Sequence, residues 1–242
     1  MSGTDPAFRD DDGGADARVT EAFRAFEAGR GSEQSVLAAV AGSRLLVPVV
    51  AVLGGQLDEP PNDTPATADK AADMAMPTLI GMDGRRAIPA FTCLSSLHAW
   101  QADARPVPVQ AARVWQAAVT DSCAVVIDVA GPVPLAVEGA RLAALARGEH
   151  APAPCTDSDV HEVVAGVLAG ELAVAGFELR PGDPEHDLVI ALRLSDEGSR
   201  QDVAALAAGI GNAVMERLGG RLRRGIAIWL GRPEPGGTGA PA

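Results

Sequence analysis

Residues 77–100 read PTLIGMDGRRAIPAFTCLSSLHAW and predict a strand, a tight turn, a second strand and a capped helix. Asp83 and Gly84 stand between two apolar runs, and both tolerate the positive φ that two-residue hairpin turns require. The second strand, residues 88–91, leads into Thr92, whose hydroxyl is placed to cap a helix with three large apolar residues. This stretch predicts secondary-structure elements of the fold and contains no recognisable catalytic motif.

The residues upstream predict two short helices and a buried strand. Residues 18–28 and 32–41 have helical periodicity, and the serine that begins the second segment is a suitable helix cap. Residues 44–53 are nearly continuous in apolar side chains, as in a strand buried on both faces. Pro48 within this strand favours an edge position or a bulge.

The residues downstream of the hairpin extend the same domain. Residues 110–120 have helical periodicity, residues 123–130 are strand-like, and residues 137–147 predict a helix that Gly148 ends. Asp128 lies inside the strand-like run, which places its carboxylate near a core. We expect it to cap the next turn or to pair with an arginine.

The last third of the chain predicts helix, strand, strand, helix and strand, which suffices for a small open sheet with helices on one face. The whole pattern predicts an α/β fold of the α+β kind, with two small mixed-sheet domains and flanking helices. The five elements are predicted at residues 159–174, 177–180, 187–194, 200–218 and 224–230. The predicted divisions are a disordered acidic leader at 1–17, an N-terminal α/β domain at 18–149, a Pro-rich linker at 150–158, a C-terminal α/β domain at 159–231 and a disordered tail at 232–242.

Charge and aromatic content argue against nucleic-acid binding. The 242 residues include 32 acidic and 20 basic side chains, so the formal net charge is −12. Tyrosine is absent, and the sequence has only five Phe and three Trp, so few aromatic side chains are available to stack on nucleic-acid bases. A chain of this charge repels phosphate backbones. Three of the acidic residues lie in residues 54–68, a Pro- and Gly-rich stretch that predicts a long exposed loop.

Cysteine usage and hydropathy predict a cytoplasmic protein without membrane contact. Three widely spaced cysteines fit reduced thiols better than a disulfide framework. The acidic N-terminus does not have the basic start of a secretory signal. The longest apolar run, residues 45–53, falls far short of the roughly 20 residues that span a bilayer.

The first domain contains a series of characteristic segments at residues 45–50, 87–92, 125–132 and 142–148, together with Trp100. The order and sequence of these segments resemble the SseB family, which is named for a serine-sensitivity phenotype. The resemblance covers about residues 30–150. Residues 159–231 are compatible with the second domain of two-domain members of actinobacterial type.

The resemblance implies a fold and a broad role rather than a reaction. The family is usually treated as regulatory or accessory, and it has no established reaction, cofactor or catalytic residue to transfer to this chain. It therefore implies no cofactor, no metal and an unknown protein partner.

Cys93 is the strongest catalytic candidate in the sequence. A thiol in the first turn of a helix faces unpaired backbone N–H groups, which favour the thiolate. His98 lies five residues later and about 140° around the helix, so these two residues form a poor dyad. A buried structural cysteine is the more common situation for such a residue.

Four arginines near the end of the chain form a candidate anion-binding patch, although compensation of a helix dipole is the commoner role of such residues. They are Arg217, Arg221, Arg223 and Arg224.

The metal-binding and nucleotide-binding motifs in the sequence are incomplete. The pair His161-Glu162 begins an H-E-x-x-H pattern, but the second ligand position is Ala165. Gly209 and Gly211 lie inside a predicted helix, which is the wrong place for a dinucleotide fingerprint.

These observations predict a non-enzymatic binding protein of SseB type that acts through protein–protein interaction surfaces. Two alternatives remain open. One is a thiol-dependent enzyme or redox sensor centred on Cys93. The other is small-molecule sensing in a cleft between the domains.

Overall fold

The computed structural model describes residues 8, 11–52, 73–82, 84–195, 200–218 and 220–231, and in these ranges it has an α+β fold. No helix within the described ranges is long and apolar enough to cross a bilayer. The helices are α1 (Ala17–Glu27), α2 (Glu33–Ala41), α3 (Leu94–Trp100), α4 (Ala111–Thr120), α5 (Gly139–Ala146), α6 (Ser158–Leu168) and α7 (Arg200–Leu218). The strands are β1 (Arg44–Val52), β2 (Asp73–Ala75), β3 (Leu79–Ile80), β4 (Arg86–Ala90), β5 (Arg105–Gln110), β6 (Ala124–Ile127), β7 (Leu135–Val137), β8 (Val174–Pro181), β9 (Leu188–Leu194) and β10 (Ile226–Gly231).

The chain divides into two compact units, which are described separately below. The predicted N-terminal domain, residues 18–149, contributes residues to both of them. Unit 1 comprises Met1–Thr20, Ala39–Glu138 and Leu145–Gly148. Unit 2 comprises Glu21–Ala38, Gly139–Ala144 and Glu149–Ala242.

Unit 1 contains two sheets that meet at one pair of residues. The first sheet is antiparallel in the order β2-β1-β5, and the second is mixed in the order β3-β4-β6-β7. Leu46 of β1 and Phe91 exchange two backbone hydrogen bonds of 2.8 and 2.9 Å. Both side chains are buried with Leu97 and Ala104, and the ring of Trp100 lies 5.5 Å from that of Phe91. This aliphatic and aromatic cluster seats α3 against the sheets.

Proline positions explain two differences from the sequence-based prediction. The strand that contains Pro48 is the middle strand of its sheet, so the prediction of an edge was wrong. β2 pairs only with residues 50–52 of β1, and Pro48 lies outside that pairing, opposite Pro106 of β5. β5 was not predicted because Pro106 and Pro108 interrupt it, although prolines are compatible with strands at positions where no ladder N–H is needed.

The predicted hairpin is present, but its turn is longer than two residues. β3 and β4 are antiparallel and are separated by residues 81–85. The N–H of Gly81 donates to the carbonyl of Arg85 at 2.8 Å, and that of Gly84 donates to Gly81 at 2.9 Å. Gly84 has a φ of +80°, as the sequence led us to expect. Asp83 lies outside the described residues.

Residues 11–14, which lie within the predicted leader at 1–17, contact other residues of unit 1. Arg44 of β1 donates both to the carboxylate of Asp11 and, at 2.6 Å, to the carbonyl of Gly14. The carbonyl of Gly13 accepts the N–H of Leu94 at the start of α3. Residues 11–14 are therefore attached to unit 1, because a nearly buried arginine needs these acceptors.

Unit 2 is built on the sheet β10-β9-β8, as predicted for the end of the chain. β9 and β10 are parallel and are connected through α7, while β8 is antiparallel to β9. α6 ends at Leu168, six residues earlier than predicted, because Gly170 takes a φ of +98° and the chain turns into β8. The core of unit 2 consists of Val160, Val164, Leu188, Ile190, Leu192, Ile210, Val214, Leu218 and Leu222.

A buried ionic network connects four separate segments of unit 2. Arg221 donates to Asp157 at 2.5 Å and to Glu33 at 3.4 Å, and Arg141 donates to the same glutamate. Asp157 is 1% exposed and also accepts the N–H of Asp159 at 2.9 Å, which caps α6. The predicted linker at residues 150–158 therefore ends in a buried anchor that fixes the start of α6.

Candidate functional site

The four-stranded sheet of unit 1 has one buried face and one open face. Burial alternates along β6, where Val125 and Ile127 are fully buried and Ala124 and Val126 are only partly buried. Ala136 of β7 is the register partner of Val126 and is exposed. An open face of a sheet normally carries polar side chains at such positions. The apolar character of this face therefore marks it as a candidate contact surface.

A groove of about 630 Å³ lies over this open face, and we call it the unit 1 groove. Its lining continues onto the β3–β4 hairpin, where Ile80 is 74% exposed and Met82 is fully exposed. Its rim is charged, because Arg85 donates to Glu138 at 2.5 Å and Arg86 also lines the groove. Large exposed apolar side chains beside an apolar floor are typical of surfaces that bind other proteins.

Cys93 is the residue that immediately precedes α3, and it is half-buried. Its Sγ atom lies 3.0 Å from Oγ of Ser95 and 3.3 Å from Oγ of Ser96. Burial raises the pKa of this thiol, but hydrogen bonds from the neighbouring hydroxyls outweigh that effect and leave the pKa lowered. No hydrogen bond joins Cys93 to a histidine within the described residues. The surroundings favour the thiolate but supply no base to activate it.

Asp128 and Thr92 form a buried pair beside Cys93. The N–H and the hydroxyl of Thr92 donate to the two carboxylate oxygens of Asp128 at 2.9 and 2.7 Å. The predicted helix cap at Thr92 was wrong, because this hydroxyl faces Asp128 instead of the first turn of α3. Asp128 has a φ of +48°, and burial raises its pKa. Its hydrogen-bond partner is thus Thr92, whereas the sequence predicted either a cap of the next turn or a pair with an arginine.

The four arginines of the predicted anion patch lie in different surroundings. Arg221 belongs to the buried network, and Arg224 binds the buried carboxylate of Asp187 at 2.8 Å. The guanidinium of Arg223 lies 5.3 Å from the ring centre of Phe26. Arg217 stands in the last turn of α7, where a cation compensates the helix dipole. Anion binding by these residues stays a prediction, and two of them already hold carboxylates of the chain itself.

A second surface was missed by the sequence analysis. Arg180 of β8, Arg193 of β9 and Trp229 of β10 lie together on the open face of the three-stranded sheet in unit 2. The sequence carried one signal, since charged residues interrupt otherwise apolar strands with a period of two. The strand register that brings the three side chains together is not visible in a single sequence.

The described residues contain no cluster of three or more His, Cys, Asp or Glu that could hold a metal ion. His161 contacts the ring of Phe177, with 4.9 Å between ring centres. The acidic loop at residues 54–68 lies outside the described residues, as does the predicted tail at 232–242. Gly209 and Gly211 lie inside α7, as predicted.

Comparison with known proteins identifies the family. The model of the SseB protein N-terminal domain matches residues 19–144, slightly more than half of the 242 residues. No curated protein matches the chain, and no solved structure matches it. The match contains the open apolar face, Cys93 and the Asp128–Thr92 pair, whereas Arg180, Arg193 and Trp229 lie beyond it. The chain belongs to the SseB family.

Proposed function

We propose that this chain is a non-enzymatic regulatory or accessory protein of the cytoplasm, and that it acts by binding an apolar segment of another protein in the unit 1 groove. The observation that carries the proposal is the apolar open face formed by residues such as Ala124, Val126 and Ala136. Removing such a face from water by contact with a partner is favourable, at about 25 cal/mol per Å² of buried apolar area.

The rim of the groove indicates the chemistry of the partner. Arg85 is paired with Glu138, whereas Arg86 has no ion-pair partner within the described residues. A carboxylate beside the apolar side chains of the partner would complement Arg86. Ile80 and Met82 project from the hairpin and offer flexible apolar contact area at the edge of the groove. The three unpaired cysteines are consistent with a reducing compartment.

The test is a comparison of surface variants of the full chain, purified with bound proteins from its native cells. The double variant Ile80→Asp and Met82→Asp places charge on side chains that are exposed, so we expect it to fold. The matched control is Leu172→Asp, since Leu172 is 90% exposed and lies in unit 2. A stoichiometric partner retained by the control and lost by the double variant is the expected result.

Binding must then be reproduced with purified components. We expect isothermal titration of the purified partner to give a Kd at least about tenfold weaker for the double variant, which corresponds to about 1.4 kcal/mol. Equal affinity of the double variant and the wild type would refute the groove as the binding site.

Thiol chemistry at Cys93 is the second candidate function. Hydrogen bonds from Ser95 and Ser96 favour the thiolate of Cys93, which is the reactive form of cysteine. The substitution Cys93→Ser discriminates the two candidates. It leaves the affinity of an interaction protein for its partner unchanged, whereas it abolishes a thiol-dependent activity or the formation of a thiol adduct detected by mass spectrometry.

A further inference from the structure

The three-stranded sheet of unit 2 buries one face and leaves the other open. Leu188, Ile190 and Leu192 of β9 point into the core with α6 and α7. The alternate residues Ala191 and Arg193 belong to the opposite face, because successive side chains of a strand point to opposite sides. A groove of about 500 Å³ lies over that open face.

Trp229 provides an apolar platform on β10, an edge strand of this sheet. It is 52% exposed and shares one row of the sheet with Ala191 and Glu178. The guanidinium of Arg180 lies 6.0 Å from its ring centre, which is the arrangement of a cation–π contact. Arg180 also donates to Glu178 at 2.7 Å. The platform is therefore flanked by one cation that already has a local partner.

Arg193 provides a second cation, on the other side of Trp229. Its Nη2 atom lies over Gly176 of β8, where a Cβ atom would stand only 2.5 Å away. Within the described residues, Arg193 makes no hydrogen bond and no ion pair. A guanidinium with its donors available, held above a glycine on a sheet face, is well suited to accept a carboxylate in two parallel hydrogen bonds.

The cationic group of Arg180 lies in the row of Trp229 rather than beyond it. Arg193 is opposite Gly176, and Arg180 is opposite Val189, so the backbones of the two arginines stand four residues apart along the strands. The guanidinium of Arg180 reaches back to Glu178 and to the ring of Trp229, in the row between them. Arg193 is therefore the cation with donors left for a ligand, and it lies two residues along the strand direction from the row of Trp229.

We infer that the open face of the unit 2 sheet binds an acidic segment of another protein, with a carboxylate on Arg193 and a neighbouring apolar side chain on Trp229. Charge complementarity identifies this partner, because this face carries two arginines against one glutamate. The site lies outside the matched family domain and does not depend on the unit 1 groove.

The experiment titrates the full chain with the peptide acetyl-SESLSES-amide and follows tryptophan fluorescence. The variant Trp229→Phe identifies the part of the signal that comes from Trp229. We expect saturable binding that Arg193→Gln weakens about tenfold, the loss expected for a hydrogen-bonded charge pair. Glu178→Gln is expected to tighten binding, because it removes a carboxylate that repels the acidic peptide at this face. Arg18→Gln, the same change at a residue that is 90% exposed in unit 1, should leave the Kd unchanged.

Several outcomes would overturn the inference. Equal binding of acetyl-SQSLSQS-amide would show that the carboxylates are not recognised. Equal affinity of Arg193→Gln and wild type would remove the arginine from the site. Saturable binding of inorganic phosphate or an RNA oligonucleotide, without binding of the acidic peptide, would assign the face to another ligand class. The unit 1 variant with Ile80→Asp and Met82→Asp is expected to bind the peptide normally. A failure of peptide binding at the unit 2 face is therefore distinguishable from a failure of partner binding in the unit 1 groove.

Discussion

The carboxylate of Asp128 accepts both hydrogen-bond donors of Thr92, from the backbone at 2.9 Å and from the hydroxyl at 2.7 Å. This pair connects the end of β6 to the residues that begin α3. Burial raises the pKa of Asp128 above its usual value of 3.8. The folded state therefore binds a proton at Asp128 more tightly than the unfolded state does.

Asp128→Asn tests the effect of this carboxyl on stability. The contribution of the Asp128 carboxyl to the free energy of unfolding is fully present below its pKa of 3.8 in the unfolded state. This contribution is lost as the pH rises through the pKa of the folded state. Asparagine stays neutral, keeps an acceptor for the N–H of Thr92 and tolerates the φ of +48°. We expect the variant to lose this pH dependence and, at about pH 7, to be at least as stable as the wild type. Urea unfolding measured across the pH range checks this expectation.

Asp128→Ala is the matched control for that experiment. Alanine removes both hydrogen bonds and is disfavoured in the left-handed region, so we expect a loss of about 2 kcal/mol or more. An Asp128→Asn variant that keeps the wild-type pH dependence would contradict the prediction.

Asp11→Asn tests the attachment of the N-terminal residues. The hydrogen bond from Arg44 lowers the pKa of Asp11, so its contribution to stability is present above the unfolded pKa of 3.8 and is lost as the pH falls through the folded pKa. We expect a loss of about 1 to 2 kcal/mol at neutral pH that shrinks as the solution becomes acidic. Asp12→Asn is the control, because Asp12 is exposed and accepts only the N–H of Gly14. Equal effects of the two substitutions would argue against a specific role of Arg44.

Asp157→Ala tests the buried network of unit 2. The substitution leaves Arg221 without its nearest carboxylate and removes the cap of α6, so we expect a loss of about 3 to 5 kcal/mol. The surface pair of Glu21 and Arg24 has the same kind of contact, at 2.7 Å, but both side chains are 63% exposed. Glu21→Ala should therefore cost less than about 1 kcal/mol. Chemical unfolding of both variants provides the comparison, and similar losses would show that burial does not strengthen the network.

Gly176→Ala tests the position of Arg193. A methyl group at residue 176 overlaps the end of a flexible side chain and not the backbone, so Arg193 can move away at little cost. We expect the midpoint of thermal unfolding to change by only a few degrees, as for a loss of less than about 1 kcal/mol. We also expect weaker binding of the acidic peptide. A large loss of stability would show instead that the backbone at residue 176 cannot accept a side chain.

Local sequence patterns were sufficient to predict elements whose structure does not depend on contacts with distant segments. α7 was predicted with its observed bounds because its 19 residues have no proline and no competing strand pattern. The hydroxyl of Thr92 was assigned to the wrong partner because Asp128, 36 residues later, competes with the helix end for it. β5 was missed because its prolines obscure a strand that the neighbouring β1 stabilises. Such errors arise from contacts between distant segments.

The same distinction applies to the candidate sites. Cys93 and the arginines near the C-terminus were visible as residue types, but their partners were not. Leu79, Ala87 and Ala124 lie in one row of the unit 1 sheet only because of the register of three strands. A single sequence does not contain that register, and therefore it did not predict which residues line either open face.

The buried network has a practical consequence for dividing this protein. A fragment cut at the limits of the family match, residues 19–144, would retain Glu33 and Arg141 but would lack Arg221 and Asp157. Glu33 would keep Arg141 but lose Arg221. We therefore expect a fragment limited to the family match to be less stable than the whole chain. The limits of a family match are a poor guide to where this polypeptide can be cut.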